Sequence, residues 1–181
     1  KKSDMAVTRT MTGGVYNAVS LPFAINADIL KQVTDRDGNH IFDAEQGGNT
    51  PEIYIFDVAN VVLTSNYDNE LKLQFHLLKE DEEIPANQPF IIKPKEDIVT
   101  DFIFYNVDIV NPVEVESNGD GVEFRGLFIR ASVTPEANYK LIEITADGKL
   151  QEYTEGVTLI GLNGYFMVSP AMPAYDDAVI V

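Results

Sequence analysis

Leu71-Lys72-Leu73-Gln74-Phe75-His76-Leu77 alternates apolar and polar residues without a break. A pleated strand points successive side chains to opposite faces, so this pattern buries one face and wets the other. A helix would scatter the same residues around its circumference. The signal recurs along the chain. Runs rich in Val, Ile, Phe, Tyr and Thr lie at residues 15–23, 52–58, 89–93, 102–110, 122–129, 139–145 and 164–168. Such side chains suit a pleated, half-buried surface. Phe102-Ile103-Phe104-Tyr105 lacks alternation and reads as buried on both sides.

Turn chemistry divides these runs. Asn118-Gly119-Asp120-Gly121 and Ala146-Asp147-Gly148-Lys149 carry the residues that tolerate positive φ and close hairpins. Thr12-Gly13-Gly14 marks another turn. Short strands with this punctuation predict an all-β fold, an antiparallel β-sandwich of jelly-roll or Greek-key type. One short helix is expected over residues 27–33, capped by Asn26, with Ile29, Leu30 and Val33 as its apolar stripe. At about two turns it needs tertiary packing to persist. No interdomain linker stands out, so residues 1–181 read as a single domain. The chain opens Lys1-Lys2-Ser3-Asp4 and stops on the strand-like Ala178-Val179-Ile180-Val181. That reads as a mature or trimmed piece excised from something longer, with its last run paired in a sheet.

Composition narrows the function. The 181 residues hold 13 Lys plus Arg against 29 Asp plus Glu, a net charge of -16. Nucleic-acid phosphates and anionic lipid surfaces repel such a chain, so neither is an expected partner. No run is long and apolar enough for direct membrane insertion. Cysteine is absent, which removes disulfides, thiol catalysis and Cys-ligated metals. Two histidines, His40 and His76, leave little for imidazole chemistry. Ser20, Ser65, Ser132 and Ser169 lack a nucleophile-elbow context, and no phosphate loop or dinucleotide fingerprint occurs.

One segment has metal-ligand spacing. In Asp35-Arg36-Asp37-Gly38-Asn39-His40-Ile41-Phe42-Asp43, side-chain oxygens fall at loop positions 1, 3, 5 and 9, with the Ile41 carbonyl at position 7. Calcium loops supply oxygens in this order. Two departures count against it: His40 stands where the sharp turn needs Gly, and Gln46 where a bidentate Glu closes the site. The competing reading of Asp35, Asp37, Asn39, Ile41 and Asp43 is a solvated turn after the helix. Glu80-Asp81-Glu82-Glu83 reads as a solvated loop or charged edge guard, because adjacent like charges stay in water. Of the two imidazoles, His76 sits on the polar phase of its strand and is expected to be exposed. The 8 Tyr and 10 Phe residues read mainly as core.

Four stretches, taken in order, resemble a known group of proteins. They are Val15-Tyr16-Asn17-Ala18-Val19-Ser20-Leu21-Pro22-Phe23, Ile84-Pro85-Ala86-Asn87-Gln88-Pro89-Phe90-Ile91-Ile92-Lys93, Val122-Glu123-Phe124-Arg125-Gly126 and Gly164-Tyr165-Phe166-Met167-Val168. Their order is similar to that of β-rich modules in secreted and cell-surface proteins of Bacteroidetes, associated with leucine-rich-repeat and adhesin-like chains. Those modules often carry W-N-T-x-C-L-P-F, I-x-A-G-x-P-Y-L-I-K, V-x-F-x-G and R-A-Y-F. Here Tyr16 replaces the Trp, Ser20 the Cys, Asn87 the Gly and Asn163-Gly164 the Arg-Ala. The resemblance implies a secreted or outer-surface bacterial location and an accessory or cell-adhesion role, and carries no catalytic or binding residue with it.

The expectation is therefore a non-enzymatic adhesion-type module without a cofactor, whose partner is a protein or glycan on a cell or matrix surface. The alternative is a carbohydrate-binding module, calcium-assisted through the Asp35 loop. An acid–base enzyme working through two carboxylates is the third reading, and no sequence feature singles out a pair.

Overall fold

The computed structural model describes residues 1–119 and 121–181, with only the backbone of residues 116–119. The strands are β1 (Lys2–Val7), β2 (Asn17–Val19), β3 (Ile25–Asn26), β4 (Glu52–Leu63), β5 (Asn69–Leu77), β6 (Glu83–Ile84), β7 (Phe90–Lys93) and β8 (Phe102–Asp108). They continue as β9 (Glu116–Gly119), β10 (Val122–Leu127), β11 (Ala131–Val133), β12 (Lys140–Ile144), β13 (Leu150–Tyr153), β14 (Val157–Leu159), β15 (Asn163–Val168) and β16 (Asp177–Ile180). Helix α1 (Ala27–Lys31) and a 3-10 turn (Ala44–Gln46) complete the regular structure. The helix is where the sequence puts it, because the Asn26 side chain accepts a hydrogen bond from the Ile29 amide at 2.9 Å. It ends two residues short of the expected 33.

Two five-stranded sheets make the sandwich. The first runs β16-β5-β4-β7-β2 and the second β13-β12-β15-β10-β9. Leu71 and Leu73 of β5, Phe56 and Ala59 of β4 and Ile91 of β7 meet Val122, Phe124, Ile142, Ile144, Phe166 and Val168 of the second sheet. The Phe124 and Phe166 rings stack 4.4 Å apart, and Phe56 lies edge-on to both. Each such ring removed from water contributes about 2–3 kcal/mol.

Strand β4 changes phase partway. Its register with β5 pairs Phe56 with Phe75 but Val58 with Gln74, leaving Asp57 as an extra residue. Tyr54 and Phe56 face the sandwich core before this bulge, and Ala59 and Val61 face it afterwards. A simple period-two strand could not bury both sets on one side.

The first sheet is covered again on its other face. Ile53, Ile55, Phe90 and Ile92 pack on Phe23, Leu30, Phe42, Phe102 and Phe104, which come from α1, the antiparallel β1–β8 ribbon and the connecting loops. Strands β4 and β7 are thus buried on both faces, whereas β5 presents Lys72, Gln74 and His76 toward solvent. A third cluster, Leu141, Leu159, Tyr165 and Met167, lies beneath the β11–β14 ribbon on the outer face of the second sheet.

The structure corrects several details. Phe102 and Phe104 are buried, but Ile103 and Tyr105 are only half-buried. A single segment covers them: Thr34 bridges to Ile103, and its hydroxyl meets the Tyr105 hydroxyl at 2.7 Å. Leu77 is 54% exposed despite its apolar phase, because it ends β5 beyond the core. The 15–23 run yields only the three residues of β2 before the chain bends. Strand β16 joins the sheet as expected, but parallel to β5. The expected turn at Asp120 lies outside the described residues, while β9 and β10 on either side of it pair antiparallel. No helix among the described residues is long and apolar enough to cross a membrane.

Candidate functional site

In the Asp35 loop, Asp35 and Asp43 turn their carboxylates onto the loop's own amides. The Asp35 carboxylate accepts from the Asp37 and Asn39 amides at 2.8 and 2.9 Å and from the Asn39 side-chain amide at 2.9 Å. These bonds, led by the Asn39 side chain, lower its pKa. Asp43 caps the 3-10 turn through the Glu45 amide, and the Ile41 carbonyl accepts from the Asn49 amide. Asp37 is exposed, and Arg36 reaches away to Asp101 at 2.5 Å. The loop therefore brings Asp35 and Asn39 together but uses Asp43 and Ile41 elsewhere. Among the described residues, no group of three or more His, Asp or Glu side chains is placed to hold a metal ion.

His76 is half-buried and clasped. Its Nδ1 lies 2.6 Å from Asp57 on the β4 bulge, and its Nε2 lies 2.9 Å from Glu82. Two carboxylates on opposite ring nitrogens favour the doubly protonated imidazolium. The Glu82 bond comes first in raising the His76 pKa, and the same bond lowers that of Glu82. Glu82 also accepts from the Lys79 amide at 3.2 Å. Both ring nitrogens are engaged, so this cluster fastens the 79–82 loop to the sheet and offers no free base to a substrate.

The four resembling stretches converge in the interior. Asn87 sits at φ 70, its amide donates to the Leu21 carbonyl at 2.8 Å, and its side chain donates to the Asn111 carbonyl at 3.0 Å. A β-carbon on Gly126 would stand 2.7 Å from the Ser20 Oγ and 3.2 Å from the Asn87 carbonyl oxygen. One on Gly164 would stand 2.8 Å from the Phe124 ring. Gly126 thus marks a close approach of two layers. Asn17 ties the 12–15 turn to β7 through side-chain bonds to the Thr12, Val15 and Ile92 carbonyls.

Beside this junction opens a cleft of about 300 Å³. It runs between the 9–17 segment, the end of β12 and the loop entering β15. Arg9 lines it, with Thr10, Thr12, Thr145, Thr158, Asn163 and Glu143. Arg9 is only 9% exposed. Its guanidinium donates to the Thr10 carbonyl and, at 2.9 Å, to the Ala18 carbonyl, and its Nε has no partner. Burial pulls its pKa down to about 10, which leaves it cationic at neutral pH. Glu143 takes a hydrogen bond from the Tyr153 hydroxyl, which lifts that phenol to about 12. Arg9 belongs to no motif in the sequence. Its only signal was a charged residue inside the Val7-Thr8-Arg9-Thr10-Met11 run, where strand-like neighbours draw it toward the interior.

No family model matches the chain, and neither a curated protein nor a solved structure matches it. The resemblance to bacterial surface modules rests on the four motifs alone.

Proposed function

We propose that the chain is a non-enzymatic, adhesion-type β-sandwich module of a secreted or surface-displayed bacterial protein, needing no cofactor to hold its shape. The observation that carries this reading is the junction of Ser20, Asn87 and Gly126. The residues that give the motifs their character meet where even one added methyl has no room. Asn87 supplies a backbone conformation that most residues avoid, and Gly126 supplies an absence of volume. Such requirements preserve a shape that presents a surface, and they hold no reactive group in place. The surface location follows from the resemblance.

Two experiments test the two halves of the reading. Antibody against this region is expected to label intact cells of the source organism; labelling only after lysis contradicts the surface assignment. A broad hydrolase screen is expected to give no turnover. Turnover that disappears when one cleft carboxylate, such as Glu143, is changed to Gln overturns the non-enzymatic assignment. Carbohydrate binding is the second reading, and the cleft at Arg9, lined by hydroxyls and amides as well as by Ile144 and Ile160, is the observation that favours it.

A further inference from the structure

A buried guanidinium is costly unless its charge is neutralised and its N–H groups are bonded. Arg9 offers five N–H donors. The protein supplies two acceptors, both neutral carbonyls. Its Nε is unpartnered but sealed from solvent, so the donors left for a ligand are the second N–H on each terminal nitrogen, and no carboxylate among the described residues forms an ion pair with the guanidinium. This is notable in a chain with more than twice as many acidic as basic residues. The cation stands in the wall of a cleft of about 300 Å³.

We propose that this cleft binds a sugar acid, with the carboxylate of the ligand against Arg9 and its hydroxyls along the opposite wall. A carboxylate matches the planar guanidinium fork and supplies the missing negative charge. The other lining groups select what surrounds it. Thr10, Thr12, Thr145, Thr158 and Asn163 present short hydroxyl and amide groups that both donate and accept. Glu143 lines the same space with one oxygen engaged by Tyr153, leaving acceptor capacity for a sugar hydroxyl. The lining holds no aromatic ring among the described residues, so recognition runs through polar contacts and the expected affinity is modest.

The inference rests on the carbohydrate-binding reading, and the test separates the two. The whole chain is titrated with glucuronate, glucose and acetate by two-dimensional amide NMR. Glucuronate is expected to shift amides of residues 9–18, 143–146 and 158–163, with Kd near or below about 1 mM. Glucose and acetate are expected to bind at least tenfold more weakly. Ile160→Trp fills the mouth of the cleft from an exposed position and leaves Arg9 in place; it is expected to abolish the glucuronate shifts in a folded protein. Equal binding of glucose overturns the sugar-acid assignment and leaves carbohydrate binding standing. Equal binding of acetate reduces the site to a generic anion pocket and overturns it as well. No shift with either sugar, or shifts that survive Ile160→Trp, overturn both readings of this cleft.

Discussion

The Asp35 loop and the Arg9 cleft are opposite cases of charge in one acidic chain. The loop concentrates oxygen ligands at metal-like intervals, yet Asp35, Asp43 and the Ile41 carbonyl are engaged by the protein's own amides. The cleft holds one cation from an unremarkable stretch, and that cation has more donors than the protein answers. Residue type and spacing pointed to the first. Partner accounting points to the second, because a buried polar group is held either by the fold or by something the fold receives.

Substitutions sharpen that contrast. Arg9→Ala leaves the Thr10 and Ala18 carbonyls without their donor and is expected to destabilise the chain by about 3 kcal/mol in denaturant melts. A loss under about 1 kcal/mol would mean that Arg9 does not stitch the 9–18 segment. Gly126→Ala, at the neighbouring junction, is expected to cost about 2 kcal/mol through overpacking against Ser20 and Asn87. An unchanged melt would show that the layers there can part freely. Asp35→Ala removes a turn cap and is expected to lower the melting midpoint by less than Gly126→Ala does, with glucuronate binding untouched. An equal loss of binding would tie the loop to the cleft and end the contrast.

The smallest effect concerns the His76 clasp. His76 is raised above its ordinary 6.5, so its contribution is complete below that pH and fades as pH rises through the higher folded value. Glu82 is lowered below its ordinary 4.5, so its contribution is complete above that pH and fades as pH falls through the lower folded value. The clasp is therefore strongest between about 4.5 and 6.5 and contributes about 0.5 kcal/mol, as suits a partly exposed ion pair. His76→Gln should lower stability inside that window and remove the clasp's share of the pH dependence above and below it. A profile identical to the parent chain would show that the clasp is energetically silent.

Much of the fold was legible because its strands carry local alternation. Leu71 and Leu73 bury as their phase requires, and Asn26 caps its helix. Strand β1 was missed, since Lys2-Ser3-Asp4-Met5-Ala6-Val7 is mostly exposed and is a strand only through its distant partner β8. The parallel docking of β16 is likewise a pairing with a strand 107 residues away (Asp177 with Glu70), which no local pattern records. The bulge at Asp57 was hidden because the strand reading stopped at Val58, one residue past it, and the shift of register is visible only against the partner strand β5. The need for glycine at 126 was hidden because the partner that imposes it, Ser20, lies far away in sequence. The Arg9 site was illegible for the same reason: what marks it is that no carboxylate among the described residues pairs with it, and pairing in space leaves no trace along a chain.

One sample carries the central contrast most directly. Amide spectra of the whole chain are recorded with calcium, then with chelator, then with glucuronate. The account predicts that calcium leaves the amides of residues 35–49 in place, while glucuronate moves those surrounding Arg9. Saturable calcium shifts in the Asp35 loop that chelator reverses, with the Arg9 amides unmoved by glucuronate, would contradict it.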